Sequence, residues 1–104
     1  MIARLWRGIT RAADADRYLD YLEATGLEDY RATAGNRGVW VLRRIVEERA
    51  EFLLVTLWDS REAIARFAGD DIQRARYYPQ DLEFLLALEP EVEHYEVIRK
   101  EEAQ

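Results

Sequence analysis

Glu51-Phe52-Leu53-Leu54-Val55-Thr56-Leu57-Trp58 is the stretch that decides the fold. From Phe52 onward it is nearly all apolar, with β-branched and aromatic side chains, and it predicts a strand. Successive side chains of a strand point to opposite faces. Phe52, Leu54, Thr56 and Trp58 therefore share one face, and Leu53, Val55 and Leu57 share the other. A strand with one face in water alternates apolar with polar, and this one does not. The run just before it, Val39 to Glu47, behaves in the same way. Val39, Val41 and Ile45 fall on one side, and Trp40, Leu42 and Val46 on the other. The short polar connection Glu48-Arg49-Ala50 predicts that the two runs form an antiparallel hairpin. Both faces of the resulting sheet are expected to be covered.

Working outward toward the N-terminus, Gly35-Asn36-Arg37-Gly38 is a turn signal. Ile2 to Ile9 predicts a first strand, with Ala3, Leu5, Arg7 and Ile9 on one face and Ile2, Arg4, Trp6 and Gly8 on the other. From Arg11 the period changes. Ala15, Tyr18, Leu19 and Leu22 fall at the spacing of an amphipathic helix, which Gly26 is expected to stop in a left-handed conformation. Leu27 to Ala34 reads as a helical turn and then a loop. Toward the C-terminus, Ser60 is placed to cap a helix whose apolar face is Ala63, Ile64 and Phe67 and whose end is Gly69. Asp70 to Tyr78 reads as a short helix or turn. Pro79 suits the first position of a further helix carrying Leu82, Phe84, Leu85, Leu86 and Leu88, and Pro90 blocks its continuation. Val92 to Arg99 predicts the last strand.

The order β-α-β-β-α-β, with the second helix broken, is the ferredoxin-like α+β pattern: a four-stranded antiparallel sheet with helices on one face. It predicts a single domain over residues 1–99, followed by a solvated tail over 100–104. Helices cover one face of such a sheet only. The second apolar face is expected to meet a second copy of the chain, giving a homodimer whose sheets close on each other as a dimeric α/β barrel.

Composition narrows the function classes. The 104 residues carry a formal charge of −6, and the cations are scattered rather than clustered, which argues against a nucleic-acid partner. No run approaches a membrane span, so no membrane partner is expected, and the expected location is the cytoplasm. There is no Cys and a single His, so neither a thiolate chemistry nor a metal site is expected. The only Ser is Ser60, in a capping context, which speaks against serine hydrolase chemistry.

Leu57-Trp58-Asp59-Ser60, the following helix Arg61-Glu62-Ala63-Ile64-Ala65-Arg66-Phe67, the early strand Ile2-Ala3-Arg4-Leu5-Trp6 and the closing His94-Tyr95-Glu96-Val97 carry a resemblance. Together they resemble the antibiotic biosynthesis monooxygenase (ABM) family of dimeric α/β barrels, from Ile2 to about Ile98. The resemblance implies a cofactor-independent monooxygenase acting on a small aromatic or quinone-like molecule in a cavity between sheet and helices. The alternative is a non-catalytic, small-molecule-binding or stress-associated dimer. The haem-degrading branch fits less well: where its catalytic Asn, Trp and His are expected, this chain has Arg7, Phe67 and Tyr77.

The site residues implied are Arg7, Tyr77 and His94 for catalysis and Trp58, Phe67 and Tyr78 for substrate binding. Arg7 would stabilise a developing oxyanion, or else pair with a helix carboxylate. Trp58 would form a pocket wall, as Phe67 would, or both would be core aromatics. Tyr77 and Tyr78, beside Pro79, would orient a substrate oxygen or cap a helix start. His94 alone titrates near neutrality and is the acid/base candidate, with a satisfied structural histidine as the alternative.

Overall fold

The computed structural model describes residues 1–103. Strand β1 (Ile2–Arg11) leads through a 3-10 turn (Ala12–Asp14) into helices α1 (Ala15–Ala24) and α2 (Gly26–Ala32). The hairpin β2 (Asn36–Val46) and β3 (Arg49–Trp58) follows, then α3 (Arg61–Ala68), a one-turn helix α4 (Asp81–Phe84) and β4 (Glu93–Glu96). The sheet order is β2-β3-β1-β4, with every neighbouring pair antiparallel. This is the ferredoxin-like α+β arrangement expected from the sequence.

The register decides which face is which. β1 and β3 pair from Ile2↔Trp58 to Arg11↔Arg49, and both bury alternate residues. Arg4, Trp6, Gly8 and Thr10 of β1, with Ala50, Phe52, Leu54, Thr56 and Trp58 of β3, lie under the helices. Tyr18 and Leu22 of α1, Leu27 and Tyr30 of α2, and Ile64 and Phe67 of α3 close over them. Trp6 can lie low on this layer because its neighbour Gly8 has no side chain. A Cβ at that position would stand 2.5 Å from the Trp6 ring.

The other face carries Leu5 opposite Val55 and Val55 opposite Trp40, with Arg7 and Leu42 flanking Leu53 in the next row. Trp40 is 62% exposed and Leu42 is also exposed. The sheet thus presents an apolar face that the chain itself leaves uncovered.

Several elements depart from expectation. Gly26 does not stop α1 in a left-handed conformation; it opens α2, and its bare Cα faces the Tyr78 ring at 3.7 Å from where a Cβ would stand. Of the short helix or turn expected over Asp70 to Tyr78, the structure has the turn, at Ile72 and Gln73. The helix expected after Pro79 is a single turn, because Leu85 turns extended to bridge Thr10 and the Leu86 N–H bonds the Ile9 carbonyl. Leu82, Leu86 and Leu88 are left exposed as a result. β4 is shorter than Val92–Arg99 because β1 begins at Ile2, opposite Glu96. Beyond one last bond, from the Val97 N–H to the Met1 carbonyl, the partner strand has run out. Residues 98–103 are without regular structure and exposed, and Gln104 lies outside the described residues. Among the described residues, no helix is long and apolar enough to cross a membrane.

Candidate binding site between sheet and helices

Ser60 prepares one wall of the site. Its extended backbone and its hydroxyl, accepting from the Ala63 N–H at 3.1 Å, start α3 directly after β3. The apolar positions of α3 then turn inward, and Phe67 arrives beside Tyr30 with ring centres 4.5 Å apart. Trp58 supports both rings from the sheet, at 6.1 Å from Tyr30 and 5.9 Å from Phe67. Gly69, at a φ of 91°, ends the helix as the sequence reading expected.

The segment from Asp70 to Leu88 lies over these rings as a strap. Its far end is anchored by buried Leu85, by Phe84 against Tyr18 and Tyr21, and by the Leu86 N–H on the Ile9 carbonyl; the part over the rings is held by polar contacts. Tyr18 donates its hydroxyl to Asp81 at 2.9 Å, inside the core, and the Tyr78 N–H donates to the other Asp81 oxygen at 2.6 Å. The Tyr78 hydroxyl donates to Asp29, which also accepts from Arg76 at 3.1 Å. Arg76 reaches the Phe67 carbonyl at 2.8 Å and stacks within 5 Å of both the Phe67 and Tyr78 ring centres (4.8 and 4.9 Å). Under the strap, Trp6, Tyr18, Tyr30, Phe67, Arg76 and Tyr78 line a cavity of ≈ 20 Å³. A single water needs on the order of 10–15 Å³ of such space. The chain's own aromatic rings fill the site.

Behind Phe67, next to the lining rather than part of it, lies Arg4. It is 1% exposed, and its guanidinium carbon sits 5.7 Å from the Phe67 ring centre. One terminal nitrogen donates to the Arg74 carbonyl of the strap at 3.1 Å, while Nε is buried without a hydrogen-bond partner. Two other nitrogens on this layer are likewise buried and unpartnered: Trp6 Nε1 and His94 Nε2. Trp6 is two residues from Arg4 on the same face of β1, and His94 is directly opposite Arg4 on β4.

Burial and the neighbouring cations set the ionisation of this layer. Burial lowers the Arg4 pKa, while Tyr30 opposes that shift. Burial pushes the Tyr30 phenol up to about 12 against the pull of Arg4 and Arg76, so it is neutral at neutral pH. Burial, then Arg4, then Arg61 hold His94 below the usual imidazole range. Asp81 is raised by burial, in opposition to the hydrogen bonds it accepts from Tyr78 and Tyr18.

The residues named from the sequence divide into two groups. Phe67 and Tyr78 line the cavity. Trp58 stands behind Phe67, fully buried, with its indole N–H satisfied by the Thr56 hydroxyl at 2.8 Å. His94 reaches the same layer through its place opposite Arg4. Arg7 does not: it lies on the uncovered face, 44% exposed at its side chain, with Glu51 at 3.5 Å. The cavity placement expected of Arg7 is corrected by strand parity, since the helices cover the face of Arg4 and Trp6. Tyr77 also turns away from the cavity, its hydroxyl donating to the Glu89 carbonyl and its ring 6.1 Å from Trp6. Arg4, Trp6, Tyr18, Tyr30, Arg76 and Asp81 were not named as site residues from the sequence. The one available signal was Arg4 itself, a cation alternating with apolar residues on a strand expected to be covered on both sides.

No known family profile and no curated protein matches the sequence. Solved structures do match. A protein from Bacillus cereus provisionally assigned as an antibiotic biosynthesis monooxygenase is 15% identical, covering 98% of this chain and 97% of its own, with a TM-score of 0.64. The haem degrader MhuD of Mycobacterium tuberculosis, solved with two haems in its active site, is 22% identical over 98% of this chain and 100% of its own, with a TM-score of 0.59. The protein Rv0793, also from Mycobacterium tuberculosis, is 20% identical over 99% of this chain and 98% of its own, with a TM-score of 0.58. This chain has their fold, over essentially its whole length.

Proposed function

We propose that the chain is a homodimeric monooxygenase of the ABM type that binds a small aromatic or quinone-like molecule between sheet and helices. The observation that carries this reading is the aromatic lining of Trp6, Tyr30, Phe67 and Tyr78, with the unpartnered Trp6 indole nitrogen in the lining and the unpartnered Arg4 and His94 nitrogens on the same face of the sheet. Ligand sites are concave and largely apolar, with a few oriented polar groups. The ligand enters by displacing the part of the strap around Arg76 and Tyr78, whose side chains are held by Asp29 and by the Phe67 carbonyl. Phe67, Tyr30 and Tyr78 then stack against it, and Trp58 backs the wall. The substrate supplies the electrons for dioxygen, and the nearby cations hold its anionic form, as the resemblance to cofactor-independent members implies. The uncovered face around Leu5, Val55 and Trp40 seats the second copy, and the residues of that face, Arg7 among them, serve the interface.

A second reading is favoured by the ≈ 20 Å³ of free space: a dimer that binds a small molecule without oxidising it. Native mass spectrometry of the purified protein, followed by an oxygen electrode with any released aromatic ligand or with a panel of hydroxylated naphthalenes and anthrones, separates the two. Dioxygen consumption in step with product formation supports the monooxygenase. Binding of the same compounds without consumption supports the second reading, and a protein that binds none of them refutes both.

A further inference from the structure

We infer that the Arg4 guanidinium is the anchor for an anionic oxygen (carboxylate, phenolate or enolate) of the ligand held under the strap. This rests on the binding function proposed above and adds the residue that takes the ligand's charge. The argument begins with cost. A buried cation without a counter-ion loses its hydration, and proteins ordinarily pair such a charge. Arg4 is 1% exposed, yet among the described residues no carboxylate lies within ion-pair distance of it. Its one hydrogen bond is to a neutral carbonyl, Arg74 O at 3.1 Å, and its Nε–H has no partner. The titratable groups acting on it and on its neighbour His94 are Tyr30, neutral at neutral pH, and Arg61, another cation.

The placement suits a ligand. Phe67, which lines the cavity, is also the ring beside Arg4. Trp6 lines the cavity as well, and its unpartnered indole N–H is two positions along the same face of β1. The single bond Arg4 makes is to the strap, so the movement that admits a ligand also frees the guanidinium. A forked donor and a neighbouring N–H on one face of β1 match a carboxylate or a delocalised enolate.

The test compares naphthoate with its neutral isostere naphthamide by calorimetry at neutral pH, on the wild-type protein and on Arg4→Met. Wild type is expected to bind naphthoate roughly tenfold to a hundredfold more tightly, the range for a charge-assisted hydrogen bond. Arg4→Met is expected to lose that preference, and without ligand to melt at or above the wild-type temperature, since it removes an uncompensated buried charge. If wild type binds the two compounds equally, the anchor is overturned while the aromatic pocket stands; this comparison does not depend on the variant folding. If neither compound binds, the pocket falls with it. An Arg4→Met protein that melts well below wild type, or keeps the preference for naphthoate, assigns Arg4 to clamping the strap and overturns the inference.

Discussion

Arg4 and His94 stand opposite each other across the β1–β4 pair, on the helix-covered side of the sheet. A strong base and a titratable ring thus share one buried layer, and the charge on the first opposes protonation of the second. Burial, Arg4 and Arg61 all push the His94 pKa in the same direction, downward.

The sign of the resulting pH dependence follows. The folded value lies below the unfolded value of 6.5, so the unfolded chain takes up the proton first as pH falls. The stability that neutral His94 allows is complete above 6.5 and is lost as pH falls toward the depressed folded value. Asp81 runs the other way: its raised pKa makes its contribution fullest below 3.8 and progressively lost above that. Denaturant unfolding across the mildly acidic range is therefore expected to show wild type losing stability relative to His94→Gln as pH drops below 6.5. Parallel curves for the two proteins would remove His94 from the account.

The Tyr18–Asp81 bond ties α1 to the strap inside the core, at 2.9 Å. Tyr18→Phe keeps the ring against Phe52 but leaves one Asp81 oxygen unsatisfied, at an expected cost of about 1–3 kcal/mol in urea unfolding. The loss is expected to be local first: amide exchange should speed up around residues 78–86 more than in β3. Uniform acceleration across the sheet would mean that the strap is no separate unit.

At the centre of the uncovered face, Val55 lies between Leu5 and Trp40. Val55→Asp places a charge where the second copy is expected to sit. In sedimentation velocity the wild type is expected as a dimer and the variant as a monomer or as precipitate. A soluble Val55→Asp dimer would exclude this face as the interface.

Ser60→Ala removes the side-chain cap of α3, and the expected cost is about 1 kcal/mol. Ser60→Asp, which restores an acceptor at the N-terminus of the helix, is expected to recover most of that loss. Thermal melts of the two variants side by side decide it.

The strands, the Ser60 cap and the Gly69 stop were legible because each is a local signal: a run of β-formers, a hydroxyl before an apolar period, a residue free to take positive φ. The doubly apolar sheet was legible for the same reason. What could not be read was which face the helices would take. With Leu5 and Ile9 on one side of β1 and Ile2 and Trp6 on the other, parity places Arg4 and Arg7 on opposite faces but does not say which is covered. The site reading went to Arg7 for that reason. Tyr30 and Arg76 were hidden in stretches without a clear period, and their role appears only when distant segments meet. The helix expected after Pro79 failed through tertiary competition: the end of β1 offers Leu85 and Leu86 backbone partners that draw them out of the helix.

The absent side chain at Gly8 has a consequence for the site above it. Gly8 does not line the cavity, yet the bare backbone there lets the indole of Trp6 settle low and leaves the tip of Leu85 nearby. The depth of the floor is therefore set from beneath by a position no ligand would touch. A single methyl group added at residue 8 would tilt the indole up into the aromatic layer or drive out Leu85, and so change which molecules fit without altering a contacting residue. Selection on ligand size in this fold can act through the sheet as readily as through the walls.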